Sequence, residues 1–417
     1  MKLGFGCREW SCSFDPERGR KMKKLSALLS VICLNMTLIS FTLPASAAEP
    51  IRLGAIFGLT GVMAPVAEES VQALKLAFEQ FLPKEIGGRP IEVIYEDSSS
   101  KADLAVQKAK KLVERDRVCM IFGPDHAGHT MATTAYLDQE KVPTLTLGTS
   151  TGGLMINRKW AWVTGGALPQ CSYPVGIYAY EDLRYKTCTV LATDREVGHE
   201  FIEYFVMAFE GLGGKVIQQQ WFPPGTSQFA PYVAKIEKAD FLATWIGDAD
   251  AIAGYPTIRQ LGIKVPIVQV NHGGALLSPK AVRHIGDSVV GAITAGNYVS
   301  TLPTSGNTEF VQAYEKKYGV KPGTFAGQGM SSAQLAVAAL KRTGGDTTPE
   351  KLKEALMQPT DTVMGHIEFT KDRGGINPVH IVRIEPDFSY KVLKSIVTRA
   401  DIVGEGKEAK LKVTIIR

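Results

Sequence analysis

From Ile51 onward the chain alternates short β-rich runs with amphipathic stretches, the pattern of parallel α/β sheets. Ile51 to Phe57 reads as a strand, Val66 to Leu82 as a helix, Ile91 to Tyr95 as a strand and Ala102 to Arg115 as a helix. Strands at Val118 to Phe122 and Thr144 to Leu147 follow. In the helix from Ala102, Ala105, Ala109, Leu112 and Val113 share one face. Lys101, Lys108, Lys110, Lys111 and Glu114 lie mostly elsewhere, so that charge run is a solvated surface.

A second series begins after Gly165-Gly166-Ala167-Leu168-Pro169, which reads as a loop. Strands are predicted over Thr187 to Ala192, Lys215 to Trp221, Phe241 to Ile246, Pro266 to Gln269 and Val289 to Ala295. Helices are predicted over His199 to Glu210, Gln228 to Lys238, Ala249 to Leu261 and Pro279 to Ile285. The architecture repeats although the residues do not, which predicts two similar lobes of about 110 residues each. Beyond Ala295 the alternation lapses into helices, Thr308 to Tyr318 and Phe325 to Arg342, and then into short strands within Ile367 to Leu393. Helices that arrive without strands need an existing sheet to cover, so the chain is expected to return to the first lobe near Val299 and to cross again near Val363. The predicted fold class is therefore α/β, two doubly wound lobes, with residues 48–167 plus 299–362 in one and 168–298 plus 363–417 in the other.

Ahead of both lobes, Met22 to Ala47 has the form of an export signal. Lys23 and Lys24 open it, Leu25 to Leu43 is apolar, and Ala45-Ser46-Ala47 suits signal-peptidase cleavage. Met22 is the expected start, with Met1 to Lys21 an upstream extension. Cys33 lies mid-run rather than just after it, which argues against lipidation, and cleavage would leave no direct membrane anchor. Residues before Ala48 carry seven Lys/Arg and three Asp/Glu, so the whole-chain charge of +5 falls to +1. Near-neutrality gives no support for nucleic-acid binding. Beyond the signal stand Cys119, Cys171 and Cys188; Cys171 and Cys188 can pair in an oxidising compartment only if their geometry permits.

Three catalytic or metal readings compete. Gly148-Thr149-Ser150-Thr151-Gly152 fits G-x-S-x-G after a predicted strand, which would make Ser150 a hydrolase nucleophile. That elbow needs a long helix immediately behind it, whereas the stretch to Asn157 is short, and His272-Gly273-Gly274 follows the serine where an oxyanion loop should precede it. His126-x-x-His129 lacks the base and further ligands of a metal site, so no metal is expected. Gly54, Gly58 and Gly61 do not form a dinucleotide fingerprint, and no P-loop occurs. No cofactor is expected.

Loops at the carboxyl ends of strands remain. Ligands of open α/β sheets bind there, beside helix N-termini and bare amides. In the first lobe these are 123–128 and 148–152; in the second, 194–198, 245–250 and 271–274. If the two edges face one another across a hinge, their donors converge on one small ligand.

The chain at this point resembles the type I periplasmic solute-binding proteins, the leucine/isoleucine/valine-binding branch that serves ABC importers. The resemblance rests on Ile51 to Gly61, Ile91 to Asp97, Phe122-Gly123-Pro124, Val142-Pro143, Gly225-Thr226-Ser227-Gln228-Phe229 and Gln260-Leu261-Gly262-Ile263, in that order across nearly all of Ile51 to Leu393. It implies a clamshell with a three-crossover hinge, lobe closure on a small-molecule ligand, a periplasmic location, delivery to a membrane permease, and no chemistry on the ligand, hence no enzyme. In amino-acid binders of this kind the α-carboxylate contacts map to about Ala127, Thr149, Ser150 and Thr151, with His126, Gly128 and His129 beside them. The acidic partner of the α-ammonium is replaced by Asn271-His272 unless Asp248 or Asp250 serves, and Val197 stands where an aromatic residue often covers the ligand. Trp245 and Arg195 complete the expected set, by stacking and by pairing with an anion. The expected cargo is an amino acid, an amide, or an aromatic or other organic acid. A ligand-sensing receptor component is the alternative, and a secreted serine hydrolase using Ser150 the more distant one.

Overall fold

The computed structural model describes residues 48–61, 64–124, 127–147, 156–270, 274–404 and 409–416. The first series comprises β1 (Ile51–Phe57), α1 (Ala64–Leu76) with a π-helical turn over Ala77–Phe81, β2 (Glu85–Ile86), β3 (Arg89–Asp97), α2 (Ala102–Glu114), β4 (Met120–Phe122), α3 (Ala127–Gln139), β5 (Thr144–Thr146) and β6 (Ala161–Val163). The second comprises α4 (Leu168–Glu181), β7 (Thr187–Thr193), α5 (Glu196–Gly211), β8 (Lys215–Phe222), α6 (Ala230–Val233), β9 (Phe241–Trp245), α7 (Asp248–Gln260), β10 (Ile267–Gln269), α8 (Pro279–Ile285) and β11 (Ile293–Gly296). The chain continues through α9 (Asn307–Tyr318), α10 (Thr324–Arg342), α11 (Pro349–Leu356), β12 (Thr360–Thr362), β13 (Gly365–Phe369), β14 (Gly375–Ile384), β15 (Tyr390–Val403) and β16 (Lys410–Ile415).

Two sheets result. The first is six-stranded, in the order β2-β3-β1-β4-β5-β6, and the second ten-stranded, with β8-β7-β9-β10-β11 continuing into β14, β13 and β12, and with β15 and β16 paired beyond β14. The pairs β3-β1-β4-β5-β6 and β8-β7-β9-β10-β11 are all parallel. Numbered by their parallel strands alone, leaving out the antiparallel edge strand β2, both series run 2-1-3-4-5, so the predicted repeat of architecture is a repeat of topology. In such an order the crevice for a ligand opens where the winding reverses, between β1 and β4 in the first sheet and between β7 and β9 in the second.

Burial explains why the sequence takes this form. β1 puts Ile51, Leu53, Ala55 and Phe57 into a core shared with Leu74 of α1 and with Phe122, Leu145 and Trp162. In the second sheet Val190, Phe241, Ala243 and Ile381 pack against Phe201, Phe205 and Phe209 of α5. The late helices pack against α1: Tyr314 Oη donates to Gln72 Oε1 at 2.8 Å, Tyr318 Oη to the Gln72 carbonyl at 3.0 Å, and Ser70 of α1 meets the Phe325 carbonyl at 3.5 Å.

Two local expectations are corrected. The predicted helix Gln228 to Lys238 shrinks to Ala230–Val233, because the Gln218 side chain of β8 takes the Lys235 carbonyl and the Glu237 amide and draws the chain into an extended path. The predicted loop Gly165 to Pro169 holds only to Ala167, because α4 begins at Leu168. Pro169 occupies the first turn, where a missing N–H costs nothing, and the Gln170 carboxamide accepts from the Ala167 amide at 2.9 Å. Cys171 and Cys188 are both buried and unpaired. Among the described residues no helix is long and apolar enough to cross a membrane; the predicted export signal, residues 22–47, lies outside them.

Candidate functional site

At the mouth of the first sheet, the loops after β1 and β3 are fastened by one carboxylate. Asp97 Oδ2 accepts from Thr60 Oγ1 at 2.7 Å, and Oδ1 from the Ser99 amide at 2.7 Å and the Thr60 amide at 3.3 Å. Ser100 Oγ returns a bond to the Thr60 carbonyl at 2.7 Å. Burial alone would raise the Asp97 pKa, but the bonds from Thr60 and Ser99 outweigh it and hold the carboxyl below its ordinary range. Next along the crevice, α3 begins at Ala127, so its first-turn amides point at the loop after β4. Gly128 is exposed, while His129 is buried. Burial lowers the His129 pKa against an opposing hydrogen bond to the Ser100 main chain, which ties the imidazole to the same loop as Asp97. These fastenings join residues up to 40 positions apart and are invisible in sequence; only the strand-end placement of Gly58-Leu59-Thr60-Gly61 and Asp97-Ser98-Ser99-Ser100 hints at them.

At the mouth of the second sheet, Arg195 precedes α5 and is exposed, and Val197 is half-buried in the first turn of that helix. Asp194 Oδ1 bonds His199 Nε2 at 2.8 Å, and the His199 ring stacks on Trp221 with centroids 3.8 Å apart. Trp245, at the end of β9, packs into the lobe interior: it stacks on Phe201 at 6.0 Å and fills the space left by Gly198, where a Cβ would stand 2.7 Å from the indole and 2.6 Å from the Thr193 carbonyl. Its Nε1 is buried without a hydrogen-bond partner.

Of the two carboxylates considered at the start of α7, Asp250 is buried and its Oδ1 accepts from the Gly225 amide at 3.0 Å. Burial raises its pKa against that bond and the nearby Arg195 charge. Asp250 thus holds the loop after β8 down onto α7. Asp248 is the first residue of that helix.

Six expected site residues, His126, Thr149, Ser150, Thr151, Asn271 and His272, lie outside the described residues, as do the side chains of Ala127 and Asp248. The structure brings Gly128 and the Ala127 backbone to the first crevice, and Arg195, Val197, Trp245 and Asp250 to the second. Strand β6 begins at Ala161, which leaves little chain for a long helix behind Ser150. Among the described residues no group of three or more His, Cys, Asp or Glu could hold a metal ion. The recess at the end of α10 is structural: Arg342 spends its guanidinium on the carbonyls of Ala355, Gln358 and Pro359.

The family profile described as Periplasmic binding protein matches residues 50–389. The chain belongs to the periplasmic binding protein family. An ABC transporter substrate-binding protein from Sphaerobacter thermophilus is 29% identical, superposes with a TM-score of 0.78, and the match covers 84% of this chain and 98% of that one. A solute-binding protein of an ABC transporter from Rhodopseudomonas palustris BisB5, solved in complex with 3,4-dihydroxybenzoic acid, is 24% identical with a TM-score of 0.73, over 82% of this chain and 95% of that one. The Leu/Ile/Val-binding protein homolog 7 of Brucella suis biovar 1 (strain 1330) is 24% identical over 317 residues, which are 72% of this chain and 77% of the relative. The family match ends at residue 389, so β15 and β16 lie beyond it.

Proposed function

We propose that this periplasmic binding protein is the extracytoplasmic solute-capturing component of an ABC importer, without catalytic activity, which closes two lobes on a small organic acid and presents it to a membrane permease. The lobes are residues 48–167 with 299–362, and 168–298 with 363–417, and the chain reaches the periplasm through the signal at Met22 to Ala47. His126, Ala127, Gly128, Thr149, Ser150 and Thr151 line the first lobe's side of the cleft; Arg195, Val197, Trp245, Asp248, Asn271 and His272 line the other.

The observation that carries the ligand class is the engagement of Asp250. A buried ammonium needs a carboxylate partner, since an unpaired buried charge is strongly destabilising. Among the described side chains of the second crevice, the only buried carboxylate is Asp250, and it is committed to the Gly225 amide. Small residues, hydroxyls and amides on the first side suit a carboxylate, and Arg195 adds positive charge opposite. These features favour an aromatic or other organic acid over an α-amino acid.

A thermal-shift screen of purified, ligand-free protein against benzoate, 3,4-dihydroxybenzoate, leucine, isoleucine and simple amides tests the reading. Ligand at about 100 times Kd stabilises the folded state by about 2.7 kcal/mol, a readily measured rise in Tm. The expected result is a shift with aromatic acids and none with leucine; a shift with leucine alone would overturn the ligand class.

A further inference from the structure

The chain passes between the two sheets at three places, and one helix touches all of them. After β6 it leaves the first sheet through Thr164 to Ala167; after β11 it returns through Asn297 and Tyr298; at β12, Thr360 to Thr362, it joins the second sheet again. Helix α10 presents Gln328, Ser331 and Ser332 on neighbouring turns, and each bonds a different passage. Ser332 Oγ lies 3.2 Å from Thr164 Oγ1, Gln328 Nε2 donates to Asn297 Oδ1 at 3.3 Å, and Ser331 Oγ donates to Thr362 Oγ1 at 3.1 Å. All six side chains are at most 2% exposed.

The bonds continue outward on each passage. Thr164 Oγ1 also donates to the Thr146 carbonyl at 2.7 Å, Asn297 Nδ2 to the Gly165 carbonyl at 2.7 Å, and Thr362 Oγ1 to the Gly365 carbonyl at 3.1 Å. Asn297 therefore links two passages directly. Gly327, one residue before Gln328, lies so close beneath the Tyr298 ring that a Cβ would overlap it, and Thr324 Oγ1 donates to the Tyr298 carbonyl at 3.0 Å. A helix that needed only to cover the first sheet would place apolar side chains here. Instead α10 spends three inward positions on neutral polar groups, each of which bonds a different passage.

We infer that Gln328, Ser331 and Ser332 are positioning residues for ligand capture: a hub that sets the angle between the lobes, and through it the apparent affinity, without touching the ligand. The inference rests on the solute-capture reading. The mechanism is a population effect. If only part of the free protein holds the binding-competent angle, the apparent Kd rises in inverse proportion to that part. Uncharged hydroxyls and carboxamides suit the task because their exchange between partners carries no charge-burial penalty.

The test is a double-mutant cycle on Ser332→Ala and Thr164→Val, with Ser332→Thr as the hydroxyl-retaining control. The readouts are Tm, the radius of gyration of the free protein by small-angle X-ray scattering, and the Kd for 3,4-dihydroxybenzoate at a temperature where every variant is fully folded. Each single variant should show a larger radius and a Kd about tenfold weaker, and the double variant should go no further than Thr164→Val, because the Ser332–Thr164 bond is already gone in both single variants, while Ser332→Thr stays near wild type. Folded variants with unchanged radius and unchanged Kd would overturn the hub. If the wild-type chain does not bind 3,4-dihydroxybenzoate, that acid is not its ligand, and the free-protein radius alone still decides the hub: an increase in the variants supports it, and no change overturns it.

Discussion

At the scale of single residues, the second crevice is shaped by what fills it. Trp245 occupies the volume that Gly198 leaves free, so Gly198→Ala must push a methyl against both the indole and the Thr193 carbonyl. Overpacking of this kind costs about 1–3 kcal/mol, which chemical denaturation would read as a lowered midpoint with an unchanged m-value. His380 is a second case. It is buried on β14 with Nδ1 2.8 Å from Ser395 Oγ, and burial pushes its imidazole down to about 4. An unfolded histidine titrates near about 6.5, so between those values the unfolded chain holds a proton that the folded chain lacks. Stability is then complete above the upper value and falls as pH drops toward the lower one, by roughly 3 kcal/mol in all. His380→Gln should flatten that part of the stability profile; an unchanged slope would assign it to other groups. Strand ends could be read from the sequence, but whether a residue there faces ligand or core could not, because that depends on partners such as Gly198 and Phe201.

At the scale of elements, long amphipathic pieces were legible and short or polar ones were not. Helix α8 was predicted at its observed bounds, and α9 and α10 each within one residue at the start. Helix α3 went unread because it carries no apolar stripe: Thr134 Oγ1 bonds the Thr130 carbonyl at 2.6 Å and Thr130 Oγ1 the Pro124 carbonyl at 3.3 Å, so buried positions that would normally be aliphatic are hydroxyls. Gln228 to Lys238 misled in the opposite sense, since its pattern was helical while Gln218 of a neighbouring strand held its backbone. The Asp97 fastening shows the same dependence on distant partners. Asp97→Asn should loosen the loop after β1 by about 1–2 kcal/mol, because a charged acceptor of four bonds becomes a neutral one. Hydrogen exchange would show this as lost protection at Thr60 and Ser99, and full retention of protection would show that Asp97 is dispensable.

At the scale of the whole molecule, the parallel strands of the two sheets share a 2-1-3-4-5 order, and the last elements bind their surroundings together. The outer part of β15 pairs only with β16, and this hairpin buries Ala400 and Leu411 against Ala161 and Val163 of β6 and against Ala167 at the first passage. Tyr204 Oη of α5 donates to the Leu411 carbonyl at 3.3 Å. Because the hairpin rests on elements of both sheets, Leu411→Ala should cost about 2–3 kcal/mol of global stability by loss of buried volume, with one cooperative unfolding transition retained. Two separated transitions in calorimetry would show that the hairpin couples the halves more than it supports either. The alternation of strands and helices made the two lobes legible; the hairpin was not, since its second strand is short and carries exposed Lys410 and Lys412 beside the buried Leu411. Capture of a solute by closure is the central claim, and small-angle X-ray scattering of the ligand-free chain titrated with the acid that gives the largest thermal shift tests it most directly. A radius of gyration that falls saturably, with a midpoint equal to the calorimetric Kd, is the predicted result. Saturated binding with an unchanged radius would contradict it.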